Sequence, residues 1–277
     1  IKVVSPNFDL KYGLNQKEIE NRFEKIIRYS EPNKDKKTIF VWPEGVFSGY
    51  SYVELLIFKK LIKKNFSENH FIIFGANTED SKSNNYYNSM LIVNNNFEII
   101  QSYSKKKLVP FGEFLPFEKI LNNFGLKKIT EGHGSFLKGE GNDNFLIHDL
   151  NILPLICYEV IFTEFVQKSK VNTNLIINIS EDGWFGESIG PDQHFAKSIF
   201  RAIENNTFFL RSTNKGVSAI IDNKGKVIKQ LNRDEAGNIE FNVPLIKSNK
   251  VKNDLIFFIL LITYLFTFLI YRKKNEK

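Results

Sequence analysis

A carboxylate, a cation and a thiol occur in this chain in similar settings, each following or flanking a predicted strand. Glu44 closes Thr38-Ile-Phe-Val-Trp-Pro-Glu44, Lys105 lies in Tyr103-Ser-Lys105-Lys-Lys-Leu-Val-Pro, and Cys157 closes Asn151-Ile-Leu-Pro-Leu-Ile-Cys157. Thiolate is the reactive form of cysteine, and a neighbouring cation lowers a thiol pKa from about 8.5 to roughly 3.5–7.5. Lys105 would supply that field and hold an oxyanion. Glu44 would take the thiol proton and later move protons at an attacking amine. Taken singly, each residue has a plainer reading: a packed cysteine, a surface lysine, a solvated turn. Together they form the working set of a covalent amide or ester chemist.

Positioning three such groups requires strands that end at a common edge. Lys2-Val-Val, Thr38 to Trp42, Phe71 to Gly75, Leu153 to Ile156 and Leu175 to Ile179 read as buried strands. Asn15 to Tyr29 repeats Ile19, Phe23, Ile26 and Ile27 at helical spacing, and Tyr52 to Lys64 and Gln193 to Asn205 are also helical. Hairpins are expected around Asn94-Asn-Asn96 and Asp222-Asn-Lys-Gly225. Strands alternating with helices predict a layered α/β domain. The Gly- and Asn-rich stretch from Thr130 to Asn144 reads as a lid or a surface loop.

Composition narrows the function. The chain has 277 residues, enough for one large core, and a single cysteine excludes an intrachain disulfide framework. Its net charge of +7 comes from dispersed lysines with no nucleic-acid motif beside them, so solvated faces or a membrane surface fit better than DNA or RNA. His70, His133, His148 and His194 lack metal-ligand spacing, so neither a metal nor a cofactor is expected. Residues 255–271, LIFFILLITYLFTFLIY, carry no charge and precede Arg272-Lys273-Lys274. They predict a transmembrane helix with a cytoplasmic C-terminus and the main domain on the outer face. The opening Ile-Lys-Val-Val, without a Met, suggests a piece of a longer polypeptide.

Longer motifs surround the three candidates. Trp42-Pro-Glu44, Tyr103-x-Lys105-x-x-Leu-Val-Pro-Phe-Gly-Glu113 and Cys157-Tyr158-Glu159 resemble the Glu-Lys-Cys signatures of the nitrilase (carbon–nitrogen hydrolase) superfamily. Leu108 to Pro116, and Asp182-Gly-Trp-Phe-Gly-Glu-Ser-Ile-Gly-Pro191 with Gln193-His194-Phe195, resemble its membrane branch, the apolipoprotein N-acyltransferases. The resemblance runs from about Val3 to Leu231, and the register Tyr-x-Lys assigns Lys105 over Lys106 and Lys107. One departure is Tyr12 in Leu10-Lys11-Tyr12, where the branch carries Trp.

The resemblance implies a nitrilase-like αββα sandwich over residues 1–245, a basic linker at 246–254, the transmembrane helix at 255–271 and a basic tail at 272–277. It implies Glu44 as general base, Lys105 as oxyanion stabiliser and Cys157 as nucleophile, with Glu113 tuning the lysine and Tyr158 and Glu159 shaping the site. The reaction implied is two-step acyl transfer: from a phospholipid to Cys157, then to the α-amine of a diacylglyceryl-cysteine apolipoprotein. The implied location is the bacterial inner membrane, multi-pass in the full-length protein, with the catalytic domain periplasmic. Two other readings stay open: an amidase acting on small amides with the same three residues, and a non-catalytic membrane-anchored binding module. Phe111, Phe114, Leu115, Phe117 and Phe124 are expected either in the core or as a lipid-facing arm. Trp184 and Phe185 are expected either to line a pocket or to pack.

Overall fold

The computed structural model describes residues 1–83, 85–116, 135–141, 144–167, 173–244 and 254–275. In chain order the strands are β1 (Lys2–Ser5), β2 (Thr38–Val41), β3 (His70–Glu79), β4 (Tyr86–Val93), β5 (Ile99–Ser104), β6 (Phe145–Ile147), β7 (Leu150–Ile156), β8 (Leu175–Glu181), β9 (Phe208–Asn214), β10 (Ser218–Ile221), β11 (Val227–Leu231) and β12 (Gly237–Glu240). The helices are α1 (Gln16–Ser30), α2 (Tyr52–Leu55), α3 (Lys59–Asn65), α4 (Thr163–Gln167), α5 (Gly190–Asn205) and α6 (Asp254–Asn275).

The described strands form two six-stranded sheets, ordered β12-β1-β2-β3-β4-β5 and β11-β10-β9-β8-β7-β6. Each has a parallel centre, β1-β2-β3 in one and β7-β8-β9 in the other, flanked by antiparallel pairs. Strands covered on both faces read as unbroken apolar runs, which is why Thr38 to Trp42 and Leu175 to Ile179 show no alternation. The inner faces meet through Val41, Ile73 and Ile92 of one sheet and Ile177, Leu210 and Ile220 of the other. Phe23 and Ile26 of α1 cover the outer face of the first sheet, against Phe40, Trp42 and Phe74. Ala202 of α5 covers the second, against Ile176 and Phe209. The layers are therefore α, β, β, α.

Local signals hold these layers in place. Asn15 caps α1 reciprocally with Glu18, and Glu31 ends it in a left-handed conformation. The span 52–64 is not one continuous helix: a 3-10 turn at Leu56–Phe58 separates α2 from α3. The bend turns Leu55, Phe58 and Ile62 inward while Val53 and Ile57 face out. The structure also contains β6, β9 and β12, which periodicity did not predict.

Helix α6 is long and apolar enough to cross a membrane over Leu255–Lys274, and its described side chains are all exposed. Twenty-two residues at about 1.5 Å each span about 33 Å, the thickness of a bilayer core. The linker residues 246–253, the tail residues 276–277, Phe117, Phe124, His133, and residues 130–134 and 142–143 of the 130–144 stretch lie outside the described residues.

Candidate active site

Glu44, Lys105 and Cys157 converge from both sheets on one cleft of about 460 Å³. Glu44 follows β2 and is anchored by Trp42, whose indole is buried and donates to Ser30 Oγ at 2.9 Å. Strand β3 passes so closely that a Cβ at Gly75 would sit 3.0 Å from Glu44 Cα. Lys105 follows β5, and its backbone N–H donates to Asn88 O at 2.8 Å. Its side chain is 1% exposed. Lys105 Nζ donates to Glu113 Oε1 at 2.8 Å and to Glu44 Oε1 at 3.5 Å. Asn88 Nδ2 donates to the same two oxygens, each at 2.7 Å, and so fixes both carboxylates around the ammonium. Burial alone would lower the lysine pKa, but Glu113 and then Glu44 outweigh it and hold Lys105 well above its ordinary value, as the cation.

Cys157 follows β7 on a tight elbow with φ of 48°, the left-handed region that a side chain disfavours. Two buried groups hold the elbow there. Glu159 accepts from Ile156 N at 2.9 Å, Lys106 N at 2.7 Å and Lys107 N at 3.1 Å, and from the Tyr103 hydroxyl at 3.0 Å. Glu159 therefore lies under the elbow and ties it to the turn after Lys105, whereas Tyr158 lines the cleft. On the other side His194 Nε2 donates to Cys157 O at 3.2 Å. A carbonyl only accepts, so Nε2 carries the proton in this contact, while burial, and then Arg211, lower the His194 pKa against the opposing pull of Asp182. His194 Nδ1 lies 3.0 Å from both Asp182 Oδ1 and Arg211 Nη2, and Arg211 pairs with Asp182 Oδ2 at 2.7 Å. Asp182 is held down at about 2: burial would raise it, but Arg211 and His194 prevail.

Burial, and then Glu44, push the Cys157 thiol up, with Lys105 opposing. A thiol raised in this way favours its neutral form, and Glu44 is a carboxylate lining the same cleft. Phe47, Val109, Phe136, Tyr158, Trp184 and Phe185 make the cleft walls mainly apolar. Tyr12 closes one side with its ring 5.6 Å from that of Trp184. Trp184 is 45% exposed at the mouth, so it serves the cleft more than the core. In the aromatic segment after the lysine, Leu115 is buried and Phe111 exposed, so the described part divides between core and surface.

Sequence reading missed Asn88, Glu181 and Arg211, and gave no role to Asp182 and His194, which it met as members of longer motifs. Each acts through a partner far along the chain, such as the 37 residues between Cys157 and His194. The available signal was charge in an apolar strand, since Arg211 sits fully buried in Phe208-Phe-Leu-Arg-Ser-Thr-Asn214.

Comparison with known proteins follows the same lines. The chain is 32% identical over 253 residues to an apolipoprotein N-acyltransferase of Rhizobium leguminosarum bv. trifolii, covering 88% of this chain and 47% of that protein. To the apolipoprotein N-acyltransferase of Rickettsia prowazekii it is 33% identical over 248 residues, covering 88% and 49%. The chain thus spans about half the length of the curated relatives it matches. Among solved structures, an amidase from Nesterenkonia sp. superposes with a TM-score of 0.60 at 16% identity, covering 92% of this chain and 94% of that one. A glutamine-dependent NAD+ synthetase from Acinetobacter baumannii gives 0.62 at 15%, covering 89% and 48%. At these identities the likeness is one of fold. The carbon-nitrogen hydrolase family model matches residues 12–252. With that match, the four-layered fold and the meeting of Glu44, Lys105 and Cys157, the chain belongs to the carbon–nitrogen hydrolase family.

Proposed function

We propose that this chain is the catalytic part of an apolipoprotein N-acyltransferase. It would move a fatty acyl group from a phospholipid, through a Cys157 thioester, to the α-amine of a diacylglyceryl-cysteine apolipoprotein. The observation that carries the reading is the apolar cleft in which Cys157 faces a lysine held cationic by two carboxylates. An acyl chain fits such walls, and the apolar helix α6 would keep the cleft near its lipid donor. Similarity to apolipoprotein N-acyltransferases over most of the chain supports the same choice.

In the first step Sγ attacks the ester carbonyl while Glu44 takes the thiol proton. The Lys105 ammonium stabilises the oxyanion, and Glu44 returns the proton to the departing lysophospholipid hydroxyl. In the second step the acceptor amine attacks the thioester and Cys157 leaves. Storing the acyl group on sulfur lets one substrate depart before the other enters. The domain limits, 1–245 and 255–271, and a periplasmic placement of the domain at the inner membrane, belong to the same proposal.

The test is intact-protein mass spectrometry of the full-length enzyme after exposure to phosphatidylethanolamine in detergent, beside Cys157→Ser. A fatty-acyl mass increase on Cys157 that hydroxylamine removes is expected. No adduct on folded protein, with ammonia released from small amides, would turn the reading to an amidase. Neither adduct nor ammonia would leave a binding module.

A further inference from the structure

A third carboxyl lines the cleft beside Glu44, and the mechanism above gives it no work. Glu181 ends β8, is 2% exposed, and its backbone N–H donates to Glu44 Oε2 at 3.2 Å. A Cβ at Gly45, the residue after Glu44, would lie 2.9 Å from Glu181 Oε2, so only glycine lets the carboxyl come this near.

The partners of Glu181 are neutral: Gly183 N–H at 2.9 Å and Asn214 Nδ2 at 2.8 Å. Each charged group around it is committed elsewhere. Lys105 serves Glu44 and Glu113, Arg211 serves Asp182, Arg22 donates to the carbonyls of Val46 and Asp9, and Lys215 pairs with Asp9 at 3.0 Å. Among the described residues, no cation reaches ion-pair distance of Glu181; the Arg22 charge couples to it only at longer range, its donors being spent on those carbonyls. A buried carboxyl without a counter-ion either stays protonated or waits for a cation from outside.

On the acyl-transfer reading, on which this inference rests, the acceptor brings such a cation. An α-amino group has a pKa of about 7.7–8.0 and arrives mostly as ammonium. Thioester and ammonium give amide, thiol and one proton. The nitrogen sheds two protons, one before attack and one as the C–N bond forms. The departing thiolate takes one of them through Glu44, and the other needs a second acceptor in the cleft. We propose that Glu181 is that acceptor: it seats the α-ammonium and takes the first proton. Burial, together with Glu44 and Asp182, pushes Glu181 up to about 8, against its hydrogen bonds to Asn214 and Gly183. Glu181 sheds its own proton to solvent as the ammonium seats, and amine and acid are then closely matched, so the amine proton passes with little bias.

The experiment uses the full-length enzyme, loaded with acyl groups from phosphatidylethanolamine and then mixed with a synthetic diacylglyceryl-cysteine peptide from pH 6 to 9.5. Loading and aminolysis are followed separately by mass. For Glu181→Gln, KM for the peptide at pH 7 should rise about tenfold or more, equivalent to about 1.4 kcal/mol, and the defect should shrink as pH passes the amine pKa. A defect of equal size at every pH, or none, overturns the proposal. A second measurement leaves Glu181 intact: full-length Cys157→Ser should bind the amine peptide about fivefold or more tighter than its des-amino analogue at pH 7. Equal affinity overturns the proposal as well. If the wild-type enzyme never forms the thioester, the acyl-transfer reading fails and takes this inference with it. A thioester that Glu181→Gln resolves normally sinks this inference alone.

Discussion

His194 Nε2 lies 3.2 Å from the backbone oxygen of Cys157 and holds the nucleophile through its main chain. Positive φ at Cys157 is costly without such support. Replacing the ring with leucine removes the donor and takes one partner each from Arg211 and Asp182 in a buried site. His194→Leu should therefore destabilise the fold by about 1–3 kcal/mol. It should also slow thioester formation more than His194→Gln, whose amide can still donate. Equal rates for the two variants in acyl loading would count against this role.

Lys105 and Glu113 make the next case. Glu113 is the larger of the two influences that keep the buried lysine charged. In Glu113→Gln burial regains ground, the lysine pKa falls, and the cation is lost at lower pH. The alkaline limb of acyl loading should move down, with a loss of about 10²–10³ where the lysine is neutral. A pH–rate profile unchanged on its alkaline side would contradict this.

Glu181 carries a stability signature of its own. Its folded pKa of about 8 lies above the ordinary value of 4.5, so the native state binds the proton more tightly than the unfolded chain does. Its contribution is complete below about 4.5 and is lost as pH rises to about 8. Glu159, also pushed up by burial, acts in the same sense. Thermal melts of Glu181→Gln should gain on the wild type between pH 5 and pH 9, with each kcal/mol appearing as about 2–4 °C. A gap that stays constant with pH would refute the assignment.

Trp184 separates lining from packing. Its ring is 45% exposed and rests against Tyr12 at the cleft mouth. Trp184→Ala should change stability by about 1 kcal/mol or less. On the acyl-transfer reading, the phospholipid concentration needed for half-maximal loading should rise severalfold, read from loading titrations in mixed micelles. A large stability loss would place the ring in the core instead.

How much of this was legible depended on the range of the interaction. Glu44 and Cys157 stood out because each ends an apolar strand, and Lys105 because it lies in the motif Tyr-x-Lys-x-x-Leu-Val-Pro; all three are local patterns. Helix α1 was legible from Ile19, Phe23, Ile26 and Ile27 and its Asn15 cap. Strand β9 was not, because Arg211, Ser212, Thr213 and Asn214 look solvated in sequence. In the fold they are all buried, and their partners come from Asn178, Asp182, Val4, Ser218 and Phe8. The 52–64 span shows the converse: its periodicity is helical, and only packing against the first sheet breaks it at Leu56–Phe58.

Cys157 hangs from one sheet, and Glu44 and Lys105 hang from the other. Among the described residues no backbone ladder crosses that seam, where apolar side chains such as Ile73 and Ile177 interlock. A slip of about 1 Å between the layers would cost about 10²-fold in rate while leaving every strand paired. Turnover thus reads the alignment of two plates more finely than any spectrum of secondary structure. On gentle heating the enzyme should fall silent while its circular dichroism still looks native.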